Sequence, residues 1–473
     1  MPFPAGVLGR QALSGAFWLS AATLGNGVIG AVVNIFLARL LGPLPIGAYA
    51  LAIAASDLAA LMVSWGVDTY LVQSPEDDAE EFGTALSFVL ILGGAFLGLT
   101  AAMIPFFLWR QQPVVAALLA GLAVQRLLLL NGGCYSALLQ RRFQFGWLAL
   151  AQISTGIVEH IVAVLIALLG GGVLALFARD LLDSLGLLVG GRIISRRRYR
   201  PQWRPAIAAR IRRFGLAVLL SQTGELTTHR LDSALLGVVA GTRQLAFYEE
   251  AFKLAYVSVR VSQPALSQVA LPAYSRLRDD RGRRSAAFHL IQAGGFYALV
   301  PFFLVLLLAP EPLIRVLFGS QWLSAVPIVR AFAGYALLAP LFEHLRQLLL
   351  AQGLAGAVAR AKLVQLAVFL PVLAALLARW GGVGTALAVD VGTLAALVVA
   401  AATARRLLAE DRALLRNYAP PLAAGALAVV SLAASRGHIP AILQVAVILV
   451  SYGLVLAACL QARARAWWRG RFP

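Results

Sequence analysis

The sequence predicts an all-α, polytopic integral membrane protein, with about 14 transmembrane helices arranged as two six-helix bundles related by a parallel repeat plus two C-terminal helices. Three observations carry that expectation. Of the 473 residues, 60% are hydrophobic and only 13% are charged, with a mean hydropathy of +0.81. A soluble chain sits near 45–50% apolar and about 25% charged. Apolar runs of about 20 residues, the length that crosses a hydrocarbon core, recur between charged or Gly/Pro-rich breaks. The chain also repeats part of itself at a fixed displacement.

The runs fall at roughly 12–38, 44–72, 83–108, 114–140, 145–169, 173–194, 212–239, 244–271, 287–310, 325–351, 358–378, 384–405, 418–435 and 440–462. The first is too long for a signal-peptide apolar region of about 7–15 residues, so it is expected to stay as a helix. Lys and Arg collect in cytoplasmic loops, and scoring alternate links gives 27 cations on one side against 6 on the other. That places both termini in the cytoplasm. One cytoplasmic link is acidic: Glu76, Asp77, Asp78, Glu80 and Glu81, with no cation.

The net charge of +19, almost all arginine because Lys253 and Lys362 are the only lysines, would suit nucleic acid. Hydropathy excludes that partner and leaves membrane lipids. Cys134 and Cys459 both sit in apolar runs, which reads as packing and supports neither a disulfide framework nor a cysteine metal site. The five histidines have no metal-ligand spacing, so no metal is expected. No phosphate-binding loop motif occurs, so this polypeptide is not expected to hydrolyse ATP.

The largest link, Ser195 to Arg213, is basic and holds two prolines. It reads as a headgroup-facing topogenic loop, or one that binds anionic lipid, and divides the chain into 1–194, an N-terminal six-helix bundle, and 214–405, a C-terminal one. The remaining residues, 406–473, add two helices and a basic tail. A displacement of 199 residues sets ARLLGPLPIGAYALA (Ala38 to Ala52) against GVVAGTRQLAFYEEA (Gly237 to Ala251), pairing Gly42 with Gly241, Tyr49 with Tyr248 and Ala52 with Ala251. Both segments enter from the same side, so the repeat is parallel. Transporters are commonly built from such repeats.

Those motifs, with GVDTYLVQ (Gly66 to Gln73), RLDSALLGVVAGTRQLAFYEEAFKLA (Arg230 to Ala255), LPAYSRLRDDRGR (Leu271 to Arg283), LFGSQWLSAVPIVRAFA (Leu317 to Ala333) and LLLAQGLAGAVARAKL (Leu348 to Leu363), resemble in order and spacing the Wzx-type polysaccharide and O-antigen flippases, the polysaccharide branch of the multidrug/oligosaccharidyl-lipid/polysaccharide exporter superfamily. The resemblance covers most of the chain. It implies alternating access and, as substrate, undecaprenyl-pyrophosphate carrying an oligosaccharide repeat unit, a precursor of lipopolysaccharide or exopolysaccharide. It further implies the bacterial inner membrane, and a polysaccharide polymerase and chain-length regulator as partners. It does not identify the sugar.

Ionisable side chains at mid-membrane cost at least about 2.5–3.5 kcal/mol each, so they face protein or a wet cavity. In the seventh and eighth spans Gln222, Glu225, His229 and Asp232 share one helical face, and Glu249, Lys253, Tyr256 and Arg260 share another. Arginine's fork of donors suits a phosphate. Arg230, Lys253 and Arg260 are therefore the expected substrate-anion contacts, with Tyr256 on their stripe and Arg346 and Arg126 as lesser candidates. The alternative is internal pairing, Glu249 with Lys253 and Glu343 with Arg346. Glu225, His229, Asp232 and, more weakly, Asp57 are candidates for coupling to a proton or sodium gradient, the alternative being fixed salt bridges. No other cofactor is expected. Asp68 shares a face with Asp57, Asp390 stands alone in the twelfth span, and Gln152, Thr155 and Glu159 make a stripe in the fifth. Arg179 and Asp183 are expected to pair locally, near the cytoplasmic end.

The competing readings are a cation-coupled drug exporter or a lipid II flippase of the same superfamily, and a membrane glycan polymerase or ligase. An enzyme of that last kind would need acid-base groups in a substantial outer segment. The longest outer link, 311–324, has one acidic residue, Glu311.

Overall fold

The computed structural model describes residues 23, 25–74, 79–195, 199–409, 418–435 and 440–468; within these, the side chains of 220–229, 264, 265, 435, 441, 442, 460 and 462–468 are not described. The described residues are helical throughout, without strands. They divide into two compact units, Met1–Val238 and Val239–Pro473.

In the first unit, α1 (Gly25–Leu41) leads into α2 (Pro43–Leu61) and the short α3 (Val67–Gln73), followed by α4 (Ala79–Trp109), α5 (Pro113–Arg141), α6 (Phe145–Leu168), α7 (Leu174–Ser195) and α8 (Pro205–Val239). Proline at the first position of α2 and of α5 starts each helix with φ already set and no hydrogen bond lost. Lipid tails are as apolar as leucine, so helices in a membrane gain most from close packing by small residues. The face of α2 carrying Ala52, Ala54, Ala55, Ala59 and Ala60 is buried accordingly, with α5, α4 and α7 packed against the helix.

The span expected at 44–72 is broken. Gly66 takes φ +58, a left-handed conformation that favours glycine, and the helix restarts after it as α3. The N-terminal half of α8 fills the break: a Cβ on Gly66 would stand 2.8 Å from Val218, and one on Gly215 would stand 2.7 Å from the Trp65 carbonyl. This packing places α8 in the first unit, so the division of the chain falls at the far end of the seventh span, one helix beyond the basic loop.

The acidic link also finds its partners in that loop. Arg204 reaches Glu80 at 2.5 Å. Glu81, almost fully buried, accepts from Tyr70 at 2.9 Å and Ser74 at 2.5 Å, and Arg141 and Arg210 stand 3.9 Å from it. Tyr199 packs on Phe82 and Trp203 stacks beside Phe88. Glu76, Asp77 and Asp78 lie outside the described residues.

The second unit contains α9 (Thr242–Ala265), one π-helical turn (Leu266–Ala270), α10 (Leu271–Arg276), α11 (Arg281–Leu308), α12 (Pro310–Leu317), a 3-10 turn (Ser320–Ala325), α13 (Val326–Ala331), α14 (Ala333–Ala351), α15 (Ala355–Ala404), α16 (Ala419–Ser435) and α17 (Ala441–Trp468). The spans expected at 358–378 and 384–405 are the two arms of α15, broken at Gly381 with φ 51 and ψ −126. The link expected at 311–324 is largely helical, and its Trp322 is fully buried. At one end Arg284, buried, donates to the carbonyls of Arg278 and Leu407, the latter at 2.6 Å, while Arg281 donates to Leu408 at 2.6 Å; together they close the terminus of α15. α16 and α17 pack together and against α11 around Val300, Leu304, Ala428 and Ile448.

Helices cover at least part of each expected segment among the described residues, two of the segments within the single helix α15, and the count of fourteen spans is not borne out by helix length and composition. By length and composition, six helices suffice to cross a membrane, or seven if the pair Ser320–Ala331 and Ala333–Ala351, bent by 46°, counts as one span. The parallel repeat is visible in the backbone. Gly42 (φ 72, ψ −178) precedes α2, Gly241 (φ 90, ψ 163) precedes α9, and Ala52 and Ala251 are both buried.

Candidate functional site

The interior of the first unit holds a cluster drawn from three helices. Asp57 of α2 receives Arg126 of α5 on one carboxylate oxygen at 2.5 Å and Arg230 of α8 on the other at 2.9 Å. Two cations on one anion leave a net charge of +1. The Nε of Arg126 is buried with no hydrogen-bond partner, and its guanidinium lies 5.8 Å from the centre of the Phe96 ring. A buried donor without a partner costs about 1–3 kcal/mol.

A second polar group lies one residue away along α5. Gln125 donates to Ser184 at 2.7 Å. Asp180 accepts the Tyr49 hydroxyl at 2.6 Å and the Arg179 Nε at 2.9 Å, and Arg179 also donates to Asn34 at 2.7 Å. The expected Arg179–Asp183 pair is thus replaced by Arg179–Asp180, because Tyr49 fixes Asp180 where the guanidinium can reach it. The pair also lies in the second turn of α7, at the end away from the basic loop, not near the expected cytoplasmic end. In the fifth span's stripe, the Gln152 carbonyl accepts from Asn26 at 3.0 Å, and Glu159 stands 3.5 Å from His160.

Asp232 is buried and accepts from the Ser233 amide at 2.6 Å. The side chains of Gln222, Glu225 and His229 lie outside the described residues. Arg230 turns to α2, so among the described residues the polar group around it is built from α2, α5 and α8.

In the second unit, α9 presents Lys253 and Arg260 on an exposed face. Lys253 pairs with Glu250 at 2.6 Å, not with Glu249: the Glu250 side chain is only 6% exposed, and a carboxylate that far from solvent requires a cation. Tyr256 stacks on Phe252 with ring centres 5.5 Å apart. Arg346 pairs with Glu343 at 2.8 Å, as the internal-pairing alternative held. His344 hydrogen-bonds Tyr274 and Gln292 and stacks on Phe288, a packing role. Asp390 lies against Gly334 with one oxygen unpartnered. Cys134 is buried and Cys459 partly so, both free. No group of three or more potential metal ligands occurs among the described residues.

Sequence reasoning missed Tyr49 as a polar anchor, since it served there only to mark the repeat, and missed Asn34 and Gln125 altogether. It also missed a cavity of about 540 Å³ in the first unit, beside the break between α2 and α3. The Trp-Gly pair interrupting an apolar run was the available signal.

The profile of a family described as "Polysaccharide biosynthesis protein" matches residues 36–327. The succinoglycan biosynthesis transport protein ExoT of Rhizobium meliloti is 28% identical over 303 residues, covering 63% of this chain and 60% of that protein, so the match spans about three fifths of that relative's length. The teichuronic acid biosynthesis protein TuaB of Bacillus subtilis is 24% identical, covering 73% and 72%. The lipopolysaccharide biosynthesis protein WzxC of Escherichia coli is 22% identical, covering 73% and 71%. Among solved structures, the lipid II flippase MurJ in an inward closed conformation aligns with a TM-score of 0.74 at 12% identity, covering 94% of this chain and 99% of that one. An inward-facing multidrug resistance MATE family transporter aligns with a TM-score of 0.55 at 15% identity, covering 84% and 96%. At such identities the likeness is one of fold.

Proposed function

Because the chain belongs to the polysaccharide biosynthesis protein family, whose relatives here are transport and biosynthesis proteins and whose fold is that of transporters rather than enzymes, we propose that it is a flippase for undecaprenyl-pyrophosphate-linked oligosaccharide repeat units. It would move them from the cytoplasmic to the outer leaflet of the bacterial inner membrane by alternating access, with both termini in the cytoplasm. A polymerase and a chain-length regulator would take up the product.

The observation that carries this reading is the cluster of Asp57, Arg126 and Arg230. A pyrophosphate cannot cross hydrocarbon without cations and donors to replace its water. Arginine presents planar, paired donors that match phosphate oxygens, and here one donor is already buried and unused. Lys253 and Arg260 on the exposed face of α9, with Tyr256 beside them, form a second contact point, and Arg346 a lesser one.

Asp57 supplies the coupling. While ionised it occupies both guanidinium groups; a proton or sodium ion taken up at its carboxylate weakens those pairs and frees both arginines for the anion. Asp232, Glu225 and His229 are the other coupling groups.

The test is transfer of a fluorescent undecaprenyl-pyrophosphate oligosaccharide between leaflets of liposomes holding the purified protein, with and without a pH or sodium gradient. Transfer that requires Arg126 and Arg230 supports the reading. Folded protein that moves several different glycans not at all, yet exports cationic dyes, would favour a drug exporter. Transfer confined to lipid II would favour that substrate, in keeping with the fold likeness.

A further inference from the structure

The cavity of about 540 Å³ lies within the first unit, between the α2–α3 break, α5 and the inner faces of α4 and α7. Ligand pockets run from about 300 to 1,000 Å³, mostly apolar with a few convergent polar groups. Here Val67, Val89, Leu92 and Leu130 supply the apolar wall; Trp65, Asp68, Thr69, Gln73, Ser136 and Gln140 supply the polar groups. Among the described residues, no lysine or arginine lines it. The Trp65 Nε1 donates to the Met62 carbonyl at 3.0 Å, which ties the indole to the broken helix. Asp68 is exposed, and no hydrogen bond or ion pair engages its carboxylate among the described residues. Gly133 lies opposite, where a Cβ would stand 3.9 Å from that of Asp68, in ordinary contact.

A cavity without cations does not hold a phosphate. An indole, an unpaired carboxylate, two amides and two hydroxyls beside an apolar wall are instead the groups that hold a polyhydroxyl ring: they accept from and donate to its hydroxyls while apolar surface covers its C–H face. The position agrees. Arg126 and the cavity share α5, where the lining begins at Leu129 and ends at Gln140; at 1.5 Å per residue that runs from about 5 to about 21 Å beyond the arginine. On the side of Asp57 the lining starts at Val63, just past the end of α2 and six residues beyond that carboxylate. An anion held at Arg126 would have its attached sugars directed along these helices toward the end that carries the basic loop.

We propose that this cavity is a sugar subsite, taking an uncharged hexose ring of the lipid-linked head group, with Asp68 and Gln140 hydrogen-bonding its hydroxyls and Trp65 covering it. The inference rests on the flippase reading above. It assigns the selection of the glycan to the first unit alone.

The experiment compares binding of two probes to the reconstituted protein: undecaprenyl pyrophosphate, and the same lipid carrying a neutral hexose disaccharide. Wild type is expected to bind the glycosylated lipid more tightly. Asp68→Asn and Gln140→Ala should each weaken the glycosylated lipid about tenfold, the loss of about one good hydrogen bond to a charged or amide partner, and leave the bare lipid unchanged, which also shows that the variants are folded. Ser136→Trp, which fills the cavity, should do the same. Equal binding of the two lipids by wild type, or equal losses for both lipids in the variants, overturns the subsite while the flippase reading stands. Failure of wild type to bind either lipid overturns both.

Discussion

The two units begin their repeated segments alike and then fill their interiors differently. Gly42 and Gly241 take the same positive-φ, extended-ψ conformation ahead of α2 and α9, yet the tyrosines seven residues on meet opposite surroundings. Tyr49 gives its hydroxyl to Asp180 beside Arg179. Tyr248 is 1% exposed among rings, 5.1 Å from Phe332. Under the same displacement Asp57, the centre of the charged cluster, meets Tyr256, which stacks on Phe252. The backbone of a repeat is set by a few turn residues, while its chemistry is free to diverge. At these matched positions one unit carries ion pairs and hydrogen-bonded charges and the other carries stacked rings.

That contrast can be broken at several points, the largest effect first. Arg126→Gln together with Arg230→Gln should abolish lipid transfer, at least about 100-fold, in protein that still inserts. If instead Lys253→Gln with Arg260→Gln abolishes transfer and the first pair does not, the anion contact belongs to the second unit. Tyr248→Ala, emptying a ring site in a packed interior, should cost about 3–5 kcal/mol, seen as a large drop in the melting temperature of detergent-purified protein. Tyr49→Phe keeps its packing and loses one hydrogen bond to a carboxylate, about 1.5–3 kcal/mol. Gly42→Ala and Gly241→Ala should cost about 1–3 kcal/mol each and nearly the same as one another; a large inequality would deny that the two turns are equivalent. Arg204→Gln, which removes an exposed partner of Glu80, should change stability by no more than about 1 kcal/mol.

Much of the fold was legible because hydropathy acts locally. An apolar run of sufficient length is helical in lipid whatever surrounds it, since its backbone groups have no other partner. For the same reason the break at Gly66 was less visible, since a single glycine leaves the hydropathy of its window unchanged, whereas the break at Gly381 falls in the charged, Gly-rich gap already read between 378 and 384. The charges were legible as a set and not as pairs. Spacing on one helix suggested Glu249 with Lys253 and Arg179 with Asp183, and in each case an adjacent carboxylate, the buried Glu250 or the part-buried Asp180, took the cation instead. The acidic link looked anomalous by loop charge alone; residues more than 100 positions away answer it.

The sequence by itself determined the membrane class, the helices, the repeat and the concentration of cations at one end, because composition, period and charge bias need no knowledge of neighbours. Only the tertiary structure decided that Arg126 and Arg230 share Asp57, that α8 closes the broken second span, and that a cavity without cations opens beside it. Each of these depends on which helices pack together. Ion pairing and cavity shape fall off within a few ångströms, so they are fixed by contacts between residues that the chain alone keeps far apart.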